Sequence, residues 1–277
     1  MLIDWHTNVS LPEHADDGDE MVNRVGIEVP GTPESHAEHV AGKVEKFVLV
    51  TVNFKALRTA VPNEFVAEYA ARYPGRANSF ACVNPLEEES PRQLEYAIKE
   101  LGMNGLKISP VYGAFDPWSE QARRLYQVCD RLEIPLLWHQ SAGYGSQSAL
   151  EYGNPVLLDR IAREFPKLRM ILAHIGQPWT GEAVVLLRKH PQILTDLSAR
   201  FHRKWQLYNA LMLALEYKVT GQILFGSDFP VRTPETAMAE FRALNDWGEG
   251  VSMPKVPEEV IEDIINNRPF EMLWPEG

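Results

Sequence analysis

The sequence predicts a single (β/α)8 TIM barrel, because eight short apolar runs alternate with helical patterns along its 277 residues. Alternation of this kind implies a parallel sheet with right-handed crossovers, and eight units suffice to close a barrel. An open doubly wound sheet is the competing fold, and it is disfavoured because no G-x-G-x-x-G motif follows the first run. The predicted strands are 2–5, 47–52, 79–83, 105–108, 134–138, 170–173, 193–197 and 222–225.

The intervening helices carry recognisable start and stop residues. Ser90 as N-cap and Pro91 in the first turn begin a helix with one apolar stripe, and Gly102 ends it. Thr233 and Pro234 begin the helix after the eighth strand in the same way. These signals place each helix between two strands, as the barrel requires.

No linker, repeat or low-complexity segment divides the chain, so we expect one domain over residues 1–277. The longest irregular stretch, residues 9–35, follows the first strand and is rich in Gly, Pro and acidic residues. In a barrel this stretch is the first βα loop, and loops of that length often cover the active-site mouth. A surface insertion without a role in the site is the alternative.

Composition excludes several classes of function. A net charge of −11 disfavours nucleic-acid binding, which draws on Lys and Arg. There is neither an apolar run of membrane-spanning length nor a signal-peptide pattern at the start, so we expect a cytoplasmic protein that does not bind membranes. The two cysteines, Cys82 and Cys129, lie in apolar patterns and are expected to be buried free thiols.

Polar and charged residues, most of them of metal-binding type, stand at the carboxyl ends of most predicted strands. They are Asp4, His6, Lys107, His139, His174, Asp196 and Asp228. In a (β/α)8 barrel these ends converge on the face where active sites form. Imidazoles combined with carboxylates suit Zn²⁺ or Mn²⁺, and an incomplete protein shell leaves room for water or substrate. The sequence therefore predicts a site for one divalent ion.

Five segments resemble motifs of the amidohydrolase superfamily: "IDWHTN", "GLKISP", "PLLWHQS", "LAHIGQPW" and "ILFGSDFP". The branch they resemble includes aminocarboxymuconate-semialdehyde decarboxylase and related metal-dependent barrel hydrolases. The resemblance implies that His6, His139 and Asp228 are metal ligands and that His174 positions water or substrate and shuttles protons. Asn8 stands where family members usually have a second histidine. An amide oxygen is a poorer Zn²⁺ ligand than imidazole, so we expect weaker metal binding, with Asn8 or water completing the shell.

The expected reaction is hydrolysis of a small, carboxylated substrate. A bound divalent ion lowers the pKa of its water or polarises a substrate oxygen, and Asp228 accepts the proton released when water attacks a lactone, ester or amide carbonyl. Non-oxidative decarboxylation on the same scaffold is the alternative. A barrel that binds a ligand without turnover is a further alternative, disfavoured by the retention of His6, His139, His174 and Asp228.

Three cationic residues are candidates for binding a substrate carboxylate. Arg200 and Arg232 lie just past "TDLS" and "SDFP", where loops reach the barrel mouth. Lys107 is the third candidate. Alternatively, Lys107 is carbamylated and bridges two metal ions, or it forms an ion pair with a carboxylate. Asp196 either binds the metal or orients a ligand.

Two further expectations concern the surface. The segment 208–217 is apolar on more than one side, through Leu211, Leu213 and Leu215, which favours a homodimer or a helix buried under the C-terminal segment. Histidines in loops and helices, among them His36 and His202, are expected to be exposed.

Overall fold

Eight parallel strands form the barrel in the computed structural model, which describes residues 1–15, 26–143, 145–248, 250 and 252–274. All eight predicted strands are confirmed, with ends that move by at most two residues. In chain order, β1 to β8 are Ile3–Thr7, Lys46–Val50, Ala77–Cys82, Gly105–Ile108, Leu136–Trp138, Met170–Leu172, Ile193–Asp196 and Ile223–Leu224.

The first and last strands meet and close the barrel. The strands pair in chain order, and the backbone N–H of Trp5 in β1 donates to the carbonyl of Phe225, directly after β8, at 2.9 Å. Further along, the N–H of Asp228 donates to the carbonyl of His6 at 2.9 Å. The edges of an open sheet do not meet in this way, so the doubly wound alternative is excluded.

Helices surround the barrel, and their starts largely follow the predicted signals. Thr233 accepts a hydrogen bond from the N–H of Thr236 at 3.2 Å and caps its helix as expected. Ser90 is instead the first helical residue, and its hydroxyl donates to the carbonyl of Glu87. The described helices are Pro33–His36 continuing as the π-helical Ala37–Ala41, Asn63–Ala70, Ser90–Lys99, Pro110–Gly113, Glu120–Arg131, Leu158–Glu164, Thr180–Lys189, Lys204–Glu216, Pro234–Arg242 and Glu258–Asn266.

The barrel interior below the strand ends is filled, which leaves the carboxyl-terminal face as the accessible one. Trp5 stacks on Trp274 with 6.1 Å between ring centroids, and Phe270 meets Trp5 edge-on. These C-terminal aromatic rings pack with Ile3 and Leu224 of the barrel interior. Aromatic pairs of this geometry add to the stability that burial provides.

The segment 52–61 forms a small β-hairpin above β2, which we call the mouth hairpin. Its strands, Asn53–Phe54 and Thr59–Ala60, pair antiparallel, and Thr59 also pairs with Ala15 of the first βα loop. Residues 16–25 of the predicted loop 9–35 lie outside the described residues, and that a single domain spans 1–277 stays a prediction.

His36 is buried, so the expectation that it is exposed was wrong. Its ring nitrogens lie 3.0 Å from the Tyr69 hydroxyl and 3.1 Å from the Thr7 hydroxyl. Burial lowers the pKa of this imidazole to about 3, so the ring is neutral. His36 therefore ties the helix after the first loop to the end of β1. Within the described part of the chain, no helix combines the length and apolar character needed to cross a membrane.

Candidate active site

A cavity of about 230 Å³ opens at the carboxyl-terminal ends of the strands. The predicted site residues that line it are His6, Asn8, Lys107, His139, His174, Arg200 and Asp228. Arg232 is not among the lining residues. Its Nε lies 3.2 Å from a carboxylate oxygen of Glu240, and its Nη1 donates to the carbonyl of Gly26. The structure therefore brings together every predicted site residue except Arg232, which forms an ion pair away from the cavity.

The His6 ring is held in one orientation at the cavity floor. Its Nδ1 lies 2.9 Å from Oδ2 of Asp196, and because a carboxylate only accepts, Nδ1 carries the proton. The bare Nε2 then faces Oδ1 of Asp228 at 3.5 Å. Two electron-rich atoms face each other favourably only when a positive charge, such as a metal ion, lies close to both.

The donor set at the floor fits a divalent ion such as Zn²⁺ or Mn²⁺. Two ligand atoms on a tetrahedral Zn²⁺ at usual bond lengths stand roughly 3.4 Å apart, close to the 3.5 Å between His6 Nε2 and Asp228 Oδ1. His6, His174 and Asp196 also offer three ligand atoms within 4.8 Å of one another. Asp196, however, already accepts from His6 and from the backbone N–H groups of His174 and Ser198. Asp196 is therefore better placed to orient ligands than to bind the ion.

The rings of His174 and His139 face each other through one nitrogen of each. Nδ1 of His174 lies 3.0 Å from the carbonyl oxygen of Ser198, which only accepts, so the proton is on Nδ1. The bare Nε2 of His174 lies 3.1 Å from Nδ1 of His139, and Nε2 of His139 lies 3.4 Å from the carbonyl oxygen of Ala142, which also only accepts. Burial lowers the pKa of both rings well below the ordinary value, so both are neutral at pH 7. Nδ1 of His139, the ring atom that faces His174, is therefore the nitrogen left without a proton and open to a metal ion.

Asp228 points into the cavity from a left-handed backbone conformation with φ of +58°. Such conformations are unfavourable for a non-glycine residue and occur most often at functional sites. The Nδ2 of Asn8 donates to Oδ1 of Asp228 at 3.2 Å and to the carbonyl of Phe229 at 2.9 Å. Asn8 thus presents an N–H donor, not its oxygen, to the carboxylate. Gly226 permits the close backbone approach, since a Cβ there would lie 2.9 Å from the Cβ of His6.

Positively charged side chains line the cavity on the sides of β4 and β7. Lys107 is buried, and no carboxylate of the described residues forms an ion pair with it. Burial lowers the pKa of its ammonium to about 8, against the opposing charges of Asp196 and Asp228. Arg200 and Arg203 lie in the wall after β7. These cations make the cavity suitable for an anionic group.

The model of the amidohydrolase family matches residues 3–267, nearly the whole chain. The chain belongs to the amidohydrolase family. Membership identifies it as an enzyme, and the resemblance seen in the sequence motifs is confirmed. No curated protein sequence matches it.

Several solved structures are similar to this chain over almost their full length. An uncharacterized TIM-barrel protein from Bordetella bronchiseptica has a TM-score of 0.73 at 19% identity, over 96% of this chain and 95% of that one. A probable 2-pyrone-4,6-dicarboxylic acid hydrolase from Acinetobacter baumannii, with citric acid bound, has a TM-score of 0.70 at 18% identity and 99% coverage of both chains. A dihydroxybenzoic acid decarboxylase from Polaromonas, with bound manganese and an inhibitor, has a TM-score of 0.60 at 18% identity, over 95% and 94%. These likenesses confirm the fold.

Several residues in or directly beneath this amidohydrolase's cavity were not singled out from the sequence. Ser198, with its hydroxyl 2.7 Å from His174 Nδ1 and 3.2 Å from His6 Nδ1, lies at the floor, and Ser141 lies 3.1 Å from His139 Nε2. Both serines stand two residues past a strand-end Asp or His, so extending the strand-end search by two positions would have found them. His202, expected at the surface, lines the cavity instead, and burial lowers its pKa to about 4.

Proposed function

We propose that this amidohydrolase hydrolyses a lactone, ester or amide bond in a small carboxylated substrate. The observation that carries the proposal is the placement of Asp228, whose carboxylate faces the cavity, accepts from Asn8 and stands 3.5 Å from the bare nitrogen of His6. A carboxylate so placed accepts a proton from attacking water.

We assign one divalent ion, Zn²⁺ or Mn²⁺, to this site, with His6, His139 and Asp228 as ligands and Asn8 or water completing the shell. Geometry supports His6 and Asp228 most directly, through the spacing of their ligand atoms. When bound, such an ion lowers the pKa of water and polarises a substrate carbonyl oxygen. Asp196 supports the set by holding the His6 ring, as outer carboxylates commonly do.

The proposed proton path runs through two residues. Asp228 takes the proton from the attacking water and returns it to the leaving oxygen or nitrogen, so protons balance over the cycle. His174 is neutral and in contact with His139, and we assign it the role of orienting the substrate carbonyl or water. Lys107 and Arg200 line the same cavity and bind the substrate carboxylate.

Turnover in ¹⁸O-labelled water tests the proposal. The manganese- or zinc-loaded enzyme is given a panel of carboxylated lactones and esters, and hydrolysis places one solvent oxygen in the acid product. The Asp228→Asn enzyme is the control for contaminating hydrolases. Absence of turnover across the panel, with metal bound and the protein folded, would contradict the hydrolase assignment.

Decarboxylation is the second candidate, and the buried pair of neutral histidines favours it. Ring nitrogens of His174 and His139 lie 3.1 Å apart and largely buried at the cavity floor, where a proton can be delivered to a ring carbon. Release of CO₂ from a hydroxylated aromatic acid, without incorporation of solvent oxygen, would assign the chain to this reaction. Ligand binding without either product would instead support the inactive barrel.

Three further assignments are part of the proposal. The described parts of the first βα loop, 9–15 and 26–35, cover the mouth, which is supported by Val9, Ser10, Ala15 and Ile27 in the cavity wall. We also propose that the protein is cytoplasmic.

The last assignment is a homodimer. In the helix Lys204–Glu216, Leu211 is buried in the core, whereas Trp205 is 59% exposed, so this helix offers a contact surface. A sedimentation mass of one 31.4 kDa chain at micromolar concentration contradicts the dimer.

A further inference from the structure

The mouth hairpin presents a continuous apolar surface to the active-site cavity. Four of its side chains line the cavity: Val52, Phe54, Leu57 and Val61. The polar Thr59 also lines it, but its hydroxyl donates to the carbonyl of Leu57 at 3.0 Å and is thereby satisfied within the hairpin. This side of the cavity therefore offers hydrocarbon contact and little hydrogen bonding.

Packing of the barrel core does not account for the apolar residues at the hairpin tip. Phe54 and Leu57 cluster with Cys82 and Tyr112, and Val52 packs against this group, which is separate from the core around the barrel and from the barrel interior. The rings of Phe54 and Tyr112 lie 6.0 Å apart. A small apolar cluster at a cavity wall is what a binding surface for a hydrocarbon group requires.

Two arginines of the cavity lie on another side. Arg200 and Arg203 follow β7, whereas the hairpin follows β2, and β1 and β8 stand between those two strands in the barrel order. The third cation of the cavity, Lys107 of β4, is buried at the floor, where the charges of Asp196 and Asp228 act on it. Asp228 and the His6 ring occupy the floor between the cationic and the apolar walls. A ligand that satisfies all three surfaces is charged at one end, reactive in the middle and apolar at the other end.

We infer that the substrate of this enzyme is amphipathic, with a single carboxylate toward the β7 wall and a hydrocarbon body against the mouth hairpin. The inference rests on the proposed function for the reactive group between these two ends. A second carboxylate or a polyhydroxylated body against the hairpin is disfavoured, because Val52, Phe54, Leu57 and Val61 offer it no hydrogen bond. The cavity of about 230 Å³ limits the whole substrate to a small molecule.

Binding of unreactive acids tests the inference without requiring turnover. Straight-chain monocarboxylates from butanoate to octanoate are titrated into the metal-loaded protein by calorimetry, together with hexanedioate. Each methylene buried against the hairpin should tighten binding by about fourfold, until the cavity is full. Hexanedioate, which matches hexanoate in length but carries a second carboxylate, should bind at least tenfold more weakly than hexanoate.

Two hairpin variants test whether the mouth hairpin causes the dependence of affinity on chain length. Val52→Thr keeps the side-chain shape and adds a hydroxyl, and Leu57→Asn removes the hydrocarbon, so both should flatten the dependence on chain length. Leu150→Asn, at an exposed apolar residue outside the cavity, is the matched control and should leave that dependence unchanged. Val52→Thr is the decisive variant if Leu57→Asn fails to fold.

The outcomes separate the inference from the proposed hydrolysis. Equal affinity across the acid series, or hexanedioate binding as tightly as hexanoate, overturns the amphipathic substrate even if esters are hydrolysed. Chain-length dependence that survives both variants overturns the hairpin as its location. Loss of the chain-length dependence in both variants supports the inference, even if the protein hydrolyses none of the esters. Absence of hydrolysis counts against the proposed function alone.

Discussion

Asp196 holds His6 across the barrel, with 2.9 Å between its Oδ2 and the Nδ1 of His6. The same carboxylate accepts from the backbone N–H of His174 through its other oxygen, at 2.9 Å. One fully buried side chain at the end of β7 thus fixes both the first and the sixth strand ends. Burial raises the pKa of Asp196, but the N–H groups that His6 and His174 direct at its carboxylate outweigh burial, so its net pKa lies below the ordinary value and it stays ionised.

Asp196→Asn should weaken binding of Zn²⁺ or Mn²⁺ by about 10- to 100-fold, the usual effect of losing a residue that orients a ligand. The introduced amide can donate to Nδ1 of His6, which moves the proton to Nε2 and aims an N–H at Asp228. Competition titration against a chelating dye measures the affinity. Asp130→Asn, on the exposed side of the helix Glu120–Arg131, is the control, and equal affinity in wild type and Asp196→Asn contradicts the role.

Asn8→His should tighten Zn²⁺ binding, because it adds an imidazole beside Asp228, where Asn8 now donates an N–H at 3.2 Å. Asn8→Ala removes the same hydrogen bond without adding a ligand and should not tighten it. The two variants are compared in one competition titration. If the histidine variant binds no more tightly than the alanine variant, position 8 does not face the ion.

Lys107 should make binding of anionic ligands depend on pH. Its pKa is lowered to about 8, so the ammonium is charged below pH 8 and is progressively lost above it. Affinity for a monocarboxylate should therefore fall as pH rises through 8, and it should do so in wild type but not in Lys107→Met, which has no charge to lose. Calorimetric titrations between pH 6.5 and 9.5 measure this. A fall of the same size in the methionine variant assigns the titration to another group.

His36 should make the protein sensitive to acid. Its pKa is about 3 in the folded protein and 6.5 in the unfolded chain, so between these values the unfolded chain binds the extra proton. The free energy of unfolding therefore falls as pH falls from 6.5 toward 3. Urea unfolding of His36→Gln should show lower stability at pH 7, because the contacts to Tyr69 and Thr7 change, and a shallower decline toward pH 4. An unchanged slope contradicts the burial of a neutral imidazole.

Local patterns predicted the strands because a buried parallel strand must be apolar on both faces, and they predicted the floor residues because strand ends converge. Other features depend on partners distant in the sequence. Glu240 and the carbonyl of Gly26 bind Arg232 outside the cavity lining. The carbonyl of Phe229 orients the amide of Asn8. His36 lies in a segment that looks polar, yet it is covered by aromatic rings from other elements. Such outcomes are set by tertiary packing, which no local pattern contains.

Asp228 and His174 should differ in how their loss affects turnover. Asp228→Asn removes both a negative ligand and the proton acceptor, so nearly all activity should disappear and metal content should fall. His174→Asn should lower kcat by roughly 10²- to 10⁴-fold, as expected for a positioned proton-transfer or orienting group, while metal content stays near wild type.

Steady-state kinetics together with metal analysis of the same samples separate these roles. Loss of metal in His174→Asn would make His174 a ligand, which its place within 4.8 Å of donor atoms from His6 and Asp196 permits sterically. Retained turnover in Asp228→Asn would defeat both the hydrolase and the decarboxylase mechanisms. Among the described residues, Asp228 is the only carboxylate that lines the cavity. Asp196 lies fully buried behind the histidines and already accepts from His6, His174 and Ser198. A proton released in the cavity therefore has Asp228 as its nearest anionic acceptor, and replacing that acceptor with an amide should stop the reaction.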